Sequence, residues 1–269
     1  PVSQNSAPSP EATRFSLPAL PVGIYLDQLN IAEITLGKAV LGEEISLSLT
    51  GSATLADGEG SAVVTATRLG TKTGQFVIDG SYENENRILA MSLTLLEGPD
   101  GIAANLIDLP GRPSIDLRIA GSSLIDNYVA SLSLATDGAD RVNGTFALFA
   151  DDDGQLINLD ISGDVTPLFA PKYQDFFGDD IALTVQAQTG LNGEIDVQDL
   201  SLTAKAVQLS GTAKIGAQGW PEQFDLKGQI ANQSGDSVLL PLFGPETYID
   251  NAFFDLTFDL SLIHISEPT

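Results

Sequence analysis

The segment LPGRPSIDLRIAG, from Leu109 to Gly121, joins a break in the chain to a two-faced strand. Pro110 and Pro113 end any helix before them, because proline lacks a backbone N–H donor and disfavours helical backbone in the preceding residue. After the break, apolar residues occupy every second position: Ile115, Leu117 and Ile119. This two-residue period predicts a β-strand with one apolar face and one polar face.

The break followed by a strand recurs along the chain at a near-constant spacing. Four such segments align on Gly42, Gly111, Gly178 and Gly244, at separations of 69, 67 and 66 residues. A fixed period of this size predicts a repeat architecture in which each unit stacks on the next. We therefore predict one repeated β-groove domain over residues 21–260.

The two ends of the chain differ from the repeats in composition. Residues 1–20 are rich in proline and serine and are predicted to be a linker. Residues 261–269 end in HISEPT, which resembles the translation of a sequencing adapter, and we predict a non-native tail there. Neither segment enters the predicted fold.

Two-residue alternation extends over most of the chain and predicts about sixteen strands. Short helices are expected within 100–108, 166–177 and 238–243. The predicted fold is all-β: an elongated antiparallel curved sheet, that is, a β-taco or open gutter with an apolar concave groove, of ~67-residue repeats with short helical insertions. A closed barrel is disfavoured because it would enclose more space than its side chains fill. The dipeptides that predict tight turns are Asp57–Gly58, Asp137–Gly138, Asp153–Gly154 and Asn192–Gly193.

Charge and residue types exclude several classes of function. Twelve Lys and Arg against 36 Asp and Glu give a net charge of −24, whereas nucleic-acid binding needs a basic surface. Cysteine is absent, which excludes disulfides. The only histidine, His264, is in the predicted non-native tail, so that a Ser-His-Asp triad and histidine zinc sites are excluded from the predicted domain. The acidic run 151–154 is interpreted as a hairpin turn rather than a calcium loop, because predicted strands flank it. We expect no enzyme, catalytic residue, metal or cofactor.

The apolar sides of the predicted strands are the candidate functional site. They are ordinary core or, in the alternative interpretation, the lining of one long groove. Covering such a groove with acyl chains would be favourable by ~25 cal/mol per Å² of buried apolar surface. The candidate lipid-lining residues are Ile45, Leu47, Leu49, Leu89, Met91, Leu93, Ile115, Leu117, Ile119, Ile157, Leu159, Ile161, Ile181, Leu183, Val185, Phe254, Leu256 and Phe258.

Three segments resemble the middle β-repeat region of the TamB family in its alphaproteobacterial form. They are LPVGIYLDQLNIAEITLGKAVLGEEISLSLTGSATL (20–55), LEGPDGIAANLIDLPGRPSIDLRIAGSSLIDNYVASLSLATDG (96–138) and LDISGDVTPLFAPKYQDFFGDDIALTVQAQ (159–188). The likeness is a style of repeat rather than a catalytic motif, and it extends from about Leu20 to about Leu260. TamB proteins are translocation and assembly modules and belong to the AsmA-like, bridge-forming lipid-transfer proteins.

The resemblance implies a function and a location. It implies part of a periplasm-spanning, non-enzymatic conduit of a Gram-negative envelope, which moves phospholipid from the inner towards the outer membrane with acyl chains held in the groove. It also implies an inner-membrane anchor outside this stretch and, for the full-length protein, an Omp85-type outer-membrane partner similar to TamA. No nucleic-acid partner is expected.

Two other functions fit the same sequence. The chain could be an assembly factor for outer-membrane proteins or autotransporters, which would pair a sheet edge with client strands. It could also be a structural surface β protein, such as an adhesin stalk, with a dry interior filled by side chains. Crosslinking to lipid, to protein or to neither would separate the three functions.

Overall fold

One curved antiparallel sheet of 14 strands dominates the molecule, and it is not closed. The predicted all-β class and the open curved sheet are therefore confirmed. The structure is a computed structural model that describes residues 17, 22–38, 43–151, 154–232, 234–241 and 245–260. The predicted repeat marks Gly42 and Gly244, the linker apart from Leu17, and the tail with His264 lie outside these residues.

Sixteen strands are present in the described part of the chain, as predicted. Strands β1 to β13 follow one another across the large sheet in sequence order, and β16 pairs with β13 at its far edge. The strands are β1 Ile24–Leu36, β2 Ile45–Ala56, β3 Glu59–Arg68, β4 Gly74–Glu83, β5 Ile88–Glu97, β6 Ile115–Leu124, β7 Asn127–Thr136, β8 Ala139–Asp151, β9 Gly154–Gly163, β10 Ile181–Gly190, β11 Ile195–Thr203, β12 Val207–Ile215, β13 Pro221–Ala231, β14 Val238–Leu239, β15 Tyr248–Ile249 and β16 Asn251–Asp259.

Two of the predicted tight turns are two-residue hairpin loops. Asp57 and Gly58 have φ angles of 52° and 80°, and Asp137 and Gly138 have φ angles of 50° and 76°. Left-handed backbone at both central positions is that of a type I′ turn, whose twist matches the flanking strands. Of the other two predicted turns, the one at Gly193 lies in a longer connection between β10 and β11, and Asp153 is outside the described residues.

The long connections of the sheet all lie at one end of the strands. In an antiparallel meander the connections alternate between the two ends, and the long ones follow every fourth strand: β1, β5, β9 and β13. We call the end that carries them the loop end, and the opposite end the turn end. Gly111 lies in the connection after β5 and Gly178 in the connection after β9.

The helices of the described residues are short and lie in these long connections. Helix α1 covers Ile102–Leu106, within the predicted segment 100–108. The segment 166–177 holds 3-10 turns at Thr166–Leu168 and Pro171–Tyr173, followed by helix α2 at Gln174–Phe177. Both helical insertions were predicted from the sequence.

The helix expected at 238–243 is wrong at its beginning. Val238–Leu239 is strand β14, which pairs antiparallel with β15. Ser237 Oγ donates to Asp250 Oδ1 at 2.6 Å across the base of this small hairpin. The apolar run is too short to form a stable helix by itself, and pairing satisfies its backbone instead.

The packed core sits at the loop end. Phe176 of α2 and Val238 of β14 are 8% and 1% exposed, and they form a cluster with Ala204, Ala206 and Val207 of the β11–β12 region. The backbone amides of Lys205 and Ala206 donate to carbonyl oxygens of α2, at 3.0 and 3.1 Å. The insertions therefore cover the loop end of the sheet, whereas the rest of the sheet gains its contacts from neighbouring strands.

Candidate functional site

The cross-strand register defines two faces of the sheet. Residues directly opposite each other on paired strands point to the same side. Leu117 of β6 lies opposite Leu95 of β5 and Leu134 of β7, and the same relation can be followed from strand to strand between β1 and β16. We call the side that carries Leu117 the apolar face, and the other side the polar face.

All eighteen candidate lining residues lie on the apolar face. They occupy β2, β5, β6, β9, β10 and β16, with three residues on each strand. Several are direct neighbours, as in the pairs Leu93–Ile119 and Ile161–Leu183. The structure thus brings these side chains together on one surface, and their contact with lipid stays a prediction.

The candidate residues differ in how accessible they are. Ile45 and Ile115 are only 3% and 6% exposed, and Ile181 packs against the core cluster at the loop end. Met91 and Leu256 are 49% and 51% exposed. The first residue of the triplets on β2 and β6 is therefore buried and that on β10 is partly buried, while the remaining candidates are half-buried or open.

The apolar face contains many residues that the sequence analysis did not single out. Nine large apolar side chains of this face are exposed, and only two of them were among the candidates. For Val64, Ile78 and Phe146 the signal was present in the sequence, since each belongs to a two-residue alternation on its own strand. The nine residues are Ile24, Leu26, Leu29, Ile31, Val64, Ile78, Met91, Phe146 and Leu256.

β-Bulges explain why the apolar residues of strand β1 do not follow a strict two-residue alternation in the sequence. Its register shifts between Leu26 and Leu29 and again between Ile31 and Ile34. Each shift inserts one extra residue, which returns the next apolar side chain to the same face. A strict alternation would have placed half of these residues on the polar face.

The polar face carries exposed ion pairs. Arg118 donates to Asp116 with both Nε and Nη2, at 2.8 and 2.9 Å, and this hydrogen bonding lowers the pKa of Asp116. Lys227 lies 3.8 Å from Asp225 and 3.9 Å from Asp255 on the next strand. Such exposed pairs contribute little to stability, and they keep this face hydrated.

Among the described residues, only two charged residues with a direct cross-strand partner lie on the apolar face: Arg68 and Glu97. Glu97 is 6% exposed, and its two carboxylate oxygens accept hydrogen bonds from the backbone amides of Ile102 and Ala103, at 2.9 and 2.8 Å. These are orphan donors at the first turn of α1, so the buried carboxylate is compensated.

Arg68 is less completely compensated. Its side chain is 7% exposed, and Nη2 donates to Glu43 Oε1 at 2.9 Å. Lys72 Nζ lies 3.6 Å from the other oxygen of Glu43. The hydrogen bond from Arg68 holds the pKa of Glu43 below its usual value. The other terminal nitrogen of Arg68, Nη1, is buried and has no hydrogen-bond partner among the described residues.

Neither a metal cluster nor a spanning helix emerges from the described part of the chain. Within residues 22–38, 43–151, 154–232 and the described positions beyond, no group of three or more His, Cys, Asp or Glu could hold a metal ion. No helix in the same residues is long and apolar enough to cross a bilayer.

Comparison of the chain with protein-family models, curated proteins and solved structures gives no match. The resemblance to the TamB family thus stays a prediction from the sequence.

Proposed function

We propose that this chain is a non-enzymatic segment of a phospholipid conduit, which holds acyl chains against its apolar face. The observation that supports the proposal is the continuity of that face across fourteen strands, with large exposed apolar side chains along it. Monomeric soluble proteins rarely leave so extended an apolar surface open unless it binds a partner.

The dimensions of the sheet suit lipid chains. A bilayer core is ~30 Å thick and contains two layers of chains, so that one acyl chain extends ~15 Å. A ten-residue strand is ~33 Å long, and fourteen strands at ~4.8 Å spacing extend ~67 Å. A chain therefore fits within the length of a strand, and many equivalent positions lie side by side across the sheet.

Movement along such a face needs no covalent step. Each methylene buried against the apolar face contributes ~0.8 kcal/mol, and neighbouring strands offer similar side chains. In the full-length protein, the proposal places this segment in the periplasm, between an inner-membrane anchor and an Omp85-type outer-membrane partner outside these residues.

A photo-crosslinker on the two faces of one strand tests the proposal. Benzoylphenylalanine replaces Leu117 on the apolar face of β6 or, as the matched control, Leu124 on the polar face of the same strand. After expression in a Gram-negative host and irradiation, we expect phospholipid adducts at Leu117 and none at Leu124 by mass spectrometry. Equal adducts at both positions, or none at either, would contradict the proposal.

A charge at the same position gives a second measurement. Leu117→Asp should reduce the phospholipid that copurifies with the chain, because a carboxylate beside an acyl chain loses hydration without a partner. Leu124→Asp should leave it unchanged. Circular dichroism establishes that both variants fold, and native mass spectrometry counts the bound lipid.

The free sheet edges favour the second candidate function, an assembly factor for outer-membrane β proteins. Within the described residues, β1 pairs only with β2 and β16 only with β13, so each presents an unpaired edge. A crosslinker at Phe253, which is 74% exposed on β16, would then give protein adducts. Protein adducts at Phe253 without lipid adducts at Leu117 would replace the lipid proposal with this one.

A further inference from the structure

A buried arginine at the loop end of the apolar face lacks a partner for one of its nitrogen atoms. Within the described ranges, Arg68 is the one cation among the residues of this face that have direct cross-strand partners. Its side chain is 7% exposed, and Nη1 has no hydrogen-bond partner in the described part of the chain. Buried polar groups are almost always hydrogen-bonded, so an orphaned guanidinium nitrogen calls for a ligand, an ion or water.

Arg68 and a second cation line the same cavity. This cavity has a volume of about 540 Å³ and lies over the strand ends, so that residues of both faces line it. Lys72 lies in the short β3–β4 connection and is 38% exposed. Thr73 and Ser114 also belong to the lining, and the Ser114 hydroxyl is engaged with Asp137. Arginine and lysine are the side chains that most often bind phosphate in proteins.

The acidic groups nearby differ in their availability. Glu97 is committed to the backbone amides of α1 through both oxygens. Glu43 forms ion pairs with both Arg68 and Lys72. Because its side chain is 38% exposed, its carboxylate can become hydrated when another anion replaces it at these cations. Glu43 is therefore a competitor for an anion at Arg68, whereas Glu97 is held by its hydrogen bonds to α1.

We infer that Arg68 and Lys72 form a binding site for a phosphate group at the loop end of the apolar face. The inference rests on the proposed function for the source of that phosphate, the head group of a phospholipid. Leu47 lies directly opposite Arg68 on the apolar face, and Ala66, two residues before Arg68 on β3, lies on the same face. Acyl chains would extend from the phosphate along this face towards the turn end.

Calorimetric titration of the purified chain with three ligands tests the site. The ligands are dihexanoyl phosphatidylglycerol, dihexanoylglycerol without a phosphate, and glycerol 3-phosphate without chains. The variants are Arg68→Gln, Lys72→Gln and Glu43→Gln. Lys227→Gln, on the polar face of β13 and away from this cavity, is the matched control. Lys72→Gln keeps the test valid if Arg68→Gln fails to fold, because Lys72 lies in an exposed connection.

The affinity for phospholipid is expected to fall in two of the variants and to rise in the third. The wild type should prefer the phospholipid over the diacylglycerol, and Arg68→Gln and Lys72→Gln should each weaken phospholipid binding by about tenfold. Glu43→Gln should strengthen it, because a competing carboxylate is removed. Diacylglycerol binding should stay the same in all variants, and Lys227→Gln should behave as the wild type.

Three other results would be decisive. If Arg68→Gln and Glu43→Gln weaken both lipids equally, the pair is structural and the site is overturned. If the wild type binds both lipids equally, the site is overturned while the proposed function stands. If only glycerol 3-phosphate binds, and does so through Arg68, the phosphate site is supported with free phosphate as its source, and the proposed function fails.

Discussion

At the scale of single residues, the two charged groups of the apolar face are stabilised in different ways. Glu97 accepts hydrogen bonds from two backbone amides of α1, which ties a helical insertion to the sheet. Arg68 relies on Glu43, which lies in the connection between β1 and β2. The first arrangement is complete, and the second leaves one nitrogen of the guanidinium without a partner.

The ion pair at Arg68 makes a pH-dependent contribution to stability. The pKa of Glu43 is lowered in the folded protein, chiefly by the hydrogen bond from Arg68. A group with a lowered folded pKa stabilises the fold above its unfolded pKa, and the contribution is lost as the pH falls through the folded value. Urea unfolding of wild type and Glu43→Gln should therefore differ near neutral pH and converge as the pH falls below ~4.

The neighbouring carboxylate provides the control for this measurement. Glu44→Gln changes an exposed residue of the same connection and should leave the pH profile of wild type unchanged. A difference between wild type and Glu43→Gln that stays constant down to pH 3 would show that Arg68 does not act through this carboxylate.

The sequence predicted the residues of the apolar face better than their accessibility. Alternation was enough to put all eighteen candidates on one side, because a side chain in a strand has only two directions to point. It could not foresee that Ile45 and Ile115 would be covered, since their burial depends on connections at the loop end. Arg68 escaped notice because its partner, Glu43, lies in the connection between β1 and β2 rather than on a paired strand.

At the scale of elements, the sheet depends on its turns. The β7–β8 hairpin closes with Asp137 and Gly138, both in left-handed backbone. Ser114, at the end of the preceding long connection, donates to the Asp137 carboxylate through its backbone amide at 2.9 Å and its hydroxyl at 3.1 Å. The turn is thus also fastened to the start of β6.

Replacing two glycines by alanine should have opposite effects. Gly138→Ala should lower the free energy of unfolding by ~1–2 kcal/mol, because φ is 76° there and a side chain makes that backbone unfavourable. Gly80→Ala should raise it by ~0.5–1 kcal/mol, because Gly80 is in the interior of β4 and an added Cβ would lie 3.7 Å from Met91 Cγ. Urea unfolding measures both, and equal losses would contradict this interpretation.

Regular elements were predictable, while irregular ones were not. Asp-Gly pairs and proline breaks act locally, so the hairpins and the two helical insertions could be read from the sequence. The bulges of β1 are not local, because an extra residue is tolerated only where the partner strand accepts the shifted register. Strand β14 was taken for a helix because its partner, β15, lies nine residues further along the chain.

At the scale of the whole molecule, the sheet resembles a one-dimensional stack. Strands contact their neighbours in the sheet, and the cluster around Phe176 and Val238 packs against the loop end. In such an arrangement an interior strand is held on both sides, and an edge strand on one. Stability is therefore expected to vary across the sheet rather than to be uniform.

Hydrogen exchange should reveal this variation. We expect the backbone amides of β6 to β10 to exchange most slowly, because their opening requires the separation of two ladders. The amides of β1 and β16 should exchange fastest among the strands of the large sheet. Peptide-level mass spectrometry measures the gradient. Uniform protection from edge to centre would instead indicate a single cooperative unit or an association that covers the edges.

The placement of every long connection after a fourth strand has a consequence for the evolution and engineering of chain length. Four is an even number, so the removal or duplication of one such group leaves each remaining strand in its original direction and each side chain on its original side. A deletion that joins the connection before Ile115 to Ile181 would remove β6 to β9 and shorten the sheet by ~19 Å, at ~4.8 Å per strand. The length of the sheet can therefore change in increments of four strands while the fold stays the same.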